Sequence, residues 1–276
     1  MLIDGDWVFL AVLVVASVST VLAARRRITD SQLLRWSLRF DVVVDANSRK
    51  FVSTRLRRAR LIRWTSFMVG INVSLLPMYV NVIDAGSAGR FSNPAGATAP
   101  WAAAALGAVL AEVWVVQRPF GPRVADVTPR RWRDYADQRW VIAVAACLPV
   151  AITAAVIATA DAGFRWAWSW VGPASVVCAL IAVTVGVQRV VDRPALAAAG
   201  QDRLLDGALR ADGAHHVLGA SVALAGMGTF QSLIIAAGAS WLALVFVVGE
   251  YLVLGRWHSL ACTDRWNVQR ARLMRA

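Results

Sequence analysis

The chain has 276 residues, of which 58% are hydrophobic and only 17% charged, against roughly 25% charged residues in an ordinary soluble domain. With a mean hydropathy of +0.55, these proportions exclude a disordered chain and leave too little polar surface for a soluble globule. The net charge of +12 would suggest nucleic acid in a soluble protein, but in a membrane protein the first question is which side of the bilayer holds it.

The apolar residues gather in runs of about 17–24, the length that crosses about 30 Å of hydrocarbon as a helix. Seven runs are predicted as spans: Trp7–Ala24, Ile62–Ile83, Ala99–Val116, Trp140–Ala160, Trp168–Val191, Val217–Ala237 and Ala239–Gly255. The last two abut, and the Gly238-Ala239-Ser240-Trp241 junction is read as a tight turn because a single 40-residue span exceeds any bilayer. The expected fold is therefore an all-α, polytopic bundle of seven transmembrane helices.

Span 1 follows Asp4 and Asp6 and is itself followed by Arg25, Arg26 and Arg27. A cleavable signal has the opposite polarity, so the segment is expected to stay as an anchor with its acidic N-terminus outside. Residues 25–61 form the longest hydrophilic connection. They are expected to be a basic cytoplasmic loop in which Asp30 caps an amphipathic helix carrying Leu33, Trp36, Phe40 and Val43 at helical spacing. That helix would lie along the inner leaflet. Arg55, Arg57, Arg58, Arg60 and Arg63 then make a polybasic collar for anionic headgroups, a partner that explains the charge without nucleic acid.

The remaining connections alternate. Counting Arg and Lys, 27 fall on one side and two (Arg90 and Arg165) on the other. The positive-inside rule places the 27 in the cytoplasm, the N-terminus outside and the C-terminus inside. Tryptophans at both sets of span ends form two belts that agree with this placement. A bacterial plasma membrane suits the near absence of lysine (Lys50 alone) in a chain rich in Arg, Ala and Val.

Chemistry-bearing residues are few. Glu112 in span 3 and Glu250 in span 7 each precede a border arginine by six residues, about 9 Å deep. That arginine lies about 240° round the same helix, so the partner of each carboxylate is expected on another helix. Glu112 shares a face with Ala104, Ala105 and Ala108, small residues that admit a close neighbour. Such carboxylates serve either as proton- or cation-coupling groups or as interhelical joints. Asn72, Ser74, Pro77 and Asn81 in span 2 suggest a kink or a broken-helix site, and Gln231 in span 6 suggests an interhelical hydrogen bond.

His215, His216 and His258 lie at cytoplasmic ends and are the weak metal candidates. No CxxC or HExxH spacing accompanies them, and Cys147, Cys178 and Cys262 form no framework. Lys50 lies in a loop, so neither a retinal Schiff base nor a P-loop fits, and Gly219-Ala220-Ser221 does not complete GxSxG. No cofactor is expected. Ala111–Arg118 and Gly249–Arg256 echo one another faintly, as three similar hairpins after an anchor would.

Three functions compete. The first is a non-enzymatic accessory, scaffold or sensor with a membrane-protein or self partner. The second is a small-solute or ion transporter using Glu112 and Glu250. The third is a membrane enzyme with a histidine-lined inner site.

Overall fold

The computed structural model describes residues 4–83, 94–114, 131–161, 169–193 and 200–237, with seven further helical positions between 245 and 256. Among the described residues the chain is helical, with no strand. The helices are α1 (Asp4–Arg25), α2 (Asp30–Phe40), α3 (Ala46–Ile83), α4 (Pro94–Trp114), α5 (Gln138–Asp161), α6 (Val171–Asp192) and α7 (Gly200–Ala237). Three of them hold segments long and apolar enough to cross a membrane: Gln138–Ala160, Val171–Asp192 and Arg203–Ala237. Shorter apolar stretches occur at Val14–Arg25 and Ala102–Val113. Most of the expected seventh span lies outside the described residues.

Most of residues 25–61 is helical, in α2 and the first part of α3. Thr29, rather than Asp30, caps α2: its hydroxyl accepts from the Gln32 N–H at 3.3 Å, and the Gln32 amide oxygen accepts from the Thr29 N–H at 3.2 Å. This reciprocal box satisfies two otherwise open donors and fixes where the helix starts. It ends earlier than the sequence pattern suggests, at a left-handed Asp41 (φ 46°), a conformation that Asp tolerates better than most residues. Val43 therefore falls outside the helix and is exposed. Leu33, Trp36 and Phe40 are buried in the same cluster as Leu205, Ala208 and Leu209 of α7. The apolar stripe of α2 thus packs on the protein, while Leu34 and Leu38 face outward.

Asp45 opens α3 by accepting the Ser48 N–H at 2.7 Å. From there 38 residues run without a break through Pro77 to Ile83, about 57 Å at 1.5 Å per residue and far more than a bilayer needs. The first half of α3 therefore carries the basic stretch as helix, continuous with the apolar run expected from Ile62. In the same way α7 begins at Gly200, 17 residues before the expected start at Val217.

Helix α7 is the axis of the bundle. Its apolar window is 61% buried, against 28% for α5 and 39% for α6, and it packs against α4, α5 and α6. Helix α4 is wedged between α3 and α7, and α1 leans on α3. Ala104, Ala105, Ala108 and Ala111 line the buried face of α4, which lets the backbones approach closely. Between α6 and α7 the fit is closer still, since a methyl on Gly228 would sit 2.6 Å from the Gly172 carbonyl oxygen. One turn of α6, Ala182–Gly186, is π-helical, and Gly186 there leaves room for Val217.

Candidate functional site: a buried charge cluster at one end of the bundle

The extended half of α3 explains which arginines turn inward. Ser48, Val52, Arg55, Ala59 and Arg63 recur at spacings of four, three, four and four, the stripe of a helix with one buried face. Val52 and Ala59 are buried, and so is Arg55, only 4% exposed. The Arg55 guanidinium donates to Glu112 Oε2 at 3.0 Å and to the Leu209 carbonyl of α7 at 3.0 Å. Arg63, two turns further on, donates to Glu112 Oε1 at 2.9 Å. Each carboxylate oxygen is held by a separate cation, so α3, α4 and α7 are joined at one point.

Gly213 makes this joint possible. A methyl there would lie 2.8 Å from Glu112 Oε2 and 3.3 Å from an Arg55 nitrogen. Only a residue without Cβ lets α7 pass this close to the pair.

A second group of charges joins α6 to α7. Arg210 is fully buried; Asp206, one turn earlier, accepts from its Nε at 2.9 Å. The other end of Arg210 donates to the carbonyls of Val191 at 2.6 Å and Arg193 at 2.7 Å. It thus caps the open C-terminal turn of α6. Arg193 itself lies 4.0 Å from Asp206. Burial first, and then the charge of Arg55, push its pKa well below the ordinary guanidinium range.

No family model, curated protein or solved structure matches this chain. The site therefore has to be read from its own chemistry.

The collar divides. Arg55 and Arg63 are taken up by Glu112, and Arg60 donates to the carbonyls of Ala24, at 3.2 Å, and Arg26, closing the end of α1. Arg58 is exposed and Arg57 half-buried. Asn72 donates to Ser17 of α1 at 3.1 Å and to the Met68 carbonyl at 2.7 Å, linking α1 to α3. Gln231 is buried. Asn81 lies in α3 with its side chain outside the described residues, where Glu250 and His258 also fall.

His216 Nδ1 is 2.7 Å from the Asp212 carbonyl oxygen and 3.4 Å from Asp212 Oδ1, while His215 is buried separately. Among the described residues no three metal-ligating side chains are gathered. Ser221 donates to the Val217 carbonyl at 2.8 Å within its own helix. The sequence signal for Glu112 was its small-residue face. For Asp206, Arg210 and Arg193 the sequence carries no such signal, because they lie between the apolar runs that end at Val191 and resume at Val217.

Proposed function

We propose that the chain is a seven-span plasma-membrane protein, N-terminus outside and C-terminus cytoplasmic, that works as a non-enzymatic accessory, scaffold or sensor component. The observation that carries this reading is the double engagement of Glu112. A carboxylate that couples transport to a proton or cation must be released by its partners during the cycle. A joint needs the opposite, and two arginines from α3 on one buried carboxylate make such a joint. The topology is supported by the meeting of predicted inner ends: Arg63, Glu112, Arg193 and Arg210 share one polar region, and Arg256 stacks on Trp140, 5.8 Å from its ring centre.

The test is Glu112→Gln combined with Glu250→Gln in proteoliposomes and in detergent. The proposal expects lower thermal stability, no pH-driven flux attributable to either carboxylate, and a second membrane protein retained on mild solubilisation. A flux abolished by the substitutions with unchanged melting overturns it in favour of a transporter. Labelling of cysteines placed near positions 130 or 205 from outside intact cells overturns the orientation.

A further inference from the structure

Helix α2 carries apolar residues on two opposite sides. Leu33, Trp36 and Phe40 are buried, whereas Leu34 and Leu38, one turn apart, face away from the protein and are 58% and 69% exposed. Arg35 and Arg39 border that leucine pair and are exposed too. Arg35 Nε donates to the Ser31 carbonyl of its own helix at 3.3 Å, and the Arg39 guanidinium lies over the Phe40 ring at 5.3 Å. Across residues 25–50, all of them described, seven exposed cations stand against three carboxylates. One of the three, Asp30, is already paired with Arg49. A single exposed leucine needs no account, but a pair on one face with arginines at its edges has the layout of a helix lying in a headgroup layer. The depth of α2 agrees. Arg60 donates to the carbonyls of Ala24, at 3.2 Å, and Arg26, and reaches the Gln32 amide oxygen at 3.5 Å. The first turn of α2 is thereby held at the end of the apolar stretch Val14–Arg25. Arg60 itself stands two residues before the apolar run of α3 that begins at Ile62. Two borders between apolar and basic helix therefore meet where α2 starts.

We infer that the outward face of α2 is a docking surface for an anionic bilayer, with Leu34 and Leu38 set into the boundary between headgroups and chains and Arg35 and Arg39 meeting the headgroups. The stripe that the sequence pattern offers for this purpose, Leu33, Trp36 and Phe40, is spent on packing within the protein. The opposite side is the one left for lipid. A bilayer is the occupant that fits for two reasons. The face begins only a few residues beyond the end of an apolar helix, where a membrane carries its phosphates. Its surplus of cations, spread along the segment without acidic partners, also matches a continuous anionic surface better than a single acidic group. The inference rests on the membrane reading of the chain, but not on the scaffold role or on which face is cytoplasmic.

The experiment uses the full chain, its three native cysteines replaced by alanine, in nanodiscs that leave both membrane faces open. Discs of phosphatidylcholine are compared with discs that also contain phosphatidylglycerol, and an uncharged water-soluble maleimide is the probe. Single cysteines are placed at Leu38, at Asn47, an exposed position on the first turn of α3, and at Val150, an exposed position inside α5. Leu38→Cys is expected to react at least about fivefold more slowly when phosphatidylglycerol is present, the factor that one arginine contributes near an anionic surface. Asn47→Cys should change little, and Val150→Cys should be protected in both discs. Adding Arg35→Gln to Leu38→Cys should remove about fivefold of its protection. A Val150→Cys that reacts freely overturns the membrane reading, and this inference with it. A protected Val150→Cys beside a Leu38→Cys that is indifferent to phosphatidylglycerol, or that slows no more than Asn47→Cys, overturns the α2 surface alone. So does slowing that Arg35→Gln leaves undiminished, because the charge match would then play no part. Protection of Leu38→Cys in detergent that grows with protein concentration would assign the face to a second copy of the chain and overturn the inference as well.

Discussion

The two ends of the bundle are held together by different forces. At the apolar end, α5, α6 and α7 meet through small residues, and the hydroxyls mostly turn back on their own helices: Ser175 to Val171, Thr229 to Ala225, Ser232 to Gly228. Between α5 and α7 there remains an apolar groove of about 340 Å³, lined by Pro149, Ile157 and Leu233 among others. At the charged end, helices α3, α4, α6 and α7 are joined by ion pairs and by arginines that close helix ends. In lipid there is no hydrophobic drive between helices, so the apolar end depends on close packing. The charged end pairs groups that would be expensive alone. Packing tolerates many residues of suitable size, whereas the charge joint tolerates few.

That contrast is broken most severely at Glu112. Glu112→Leu strands two arginines and should lower stability by about 3–5 kcal/mol, read as a large fall in Tm in detergent. Adding Arg55→Met and Arg63→Met to it should recover much of the loss, because a buried pair replaced as a whole by apolar side chains is often neutral. The next effect is at Gly213. Gly213→Ala forces the Glu112 carboxylate away from α7 and should cost about 1–3 kcal/mol, the usual penalty for overpacking. Gly228→Ala should cost a similar amount at the apolar end by pushing α6 from α7. Because no group is shared, melting of the Gly213→Ala/Gly228→Ala double variant should show effects that add to within about 0.5 kcal/mol.

A smaller effect is expected from Thr29→Ala, which removes the cap of α2 and should cost about 1 kcal/mol, seen as faster amide exchange over Asp30–Phe40. The smallest is at Asp45. The side-chain hydrogen bond from Ser48 and, after it, the Ser48 N–H hold its carboxyl below the usual range. Its contribution is therefore present above the unfolded carboxyl pKa of about 3.9 and is lost as pH falls through the lower folded value. The stability difference between wild type and Asp45→Asn should shrink as pH is lowered through that window, and melting at a series of pH values measures it.

The all-helical class and the membrane character were legible because hydrophobic run length and helix geometry are linked by simple arithmetic. The interhelical partner of Glu112 was legible for a similar reason: its own arginine is on the wrong side of the helix, and Ala104, Ala105 and Ala108 leave room for another. Which arginine would come was not. A run such as Arg55–Arg63 looks like a solvated collar when charge is counted residue by residue. The seam of Val52, Arg55, Ala59 and Arg63 stands out only when the run is laid on a helix, and the apolar run that signals one begins only at Ile62. For the same reason Asp206 and Arg210 carry no signal, since they lie in the early turns of α7 before its apolar run begins. Long apolar runs mark where a helix crosses lipid, but they carry no information on how far it continues into water.

The central claim is that Glu112 and Arg55 are one interhelical joint, and a double-mutant cycle in detergent tests it most directly. Thermal stability is measured for wild type, Glu112→Gln, Arg55→Gln and the double variant. The joint predicts non-additivity, with the double variant at least about 1 kcal/mol less destabilised than the two single losses together. Additivity within about 0.5 kcal/mol would contradict it, since the two residues would then act as strangers.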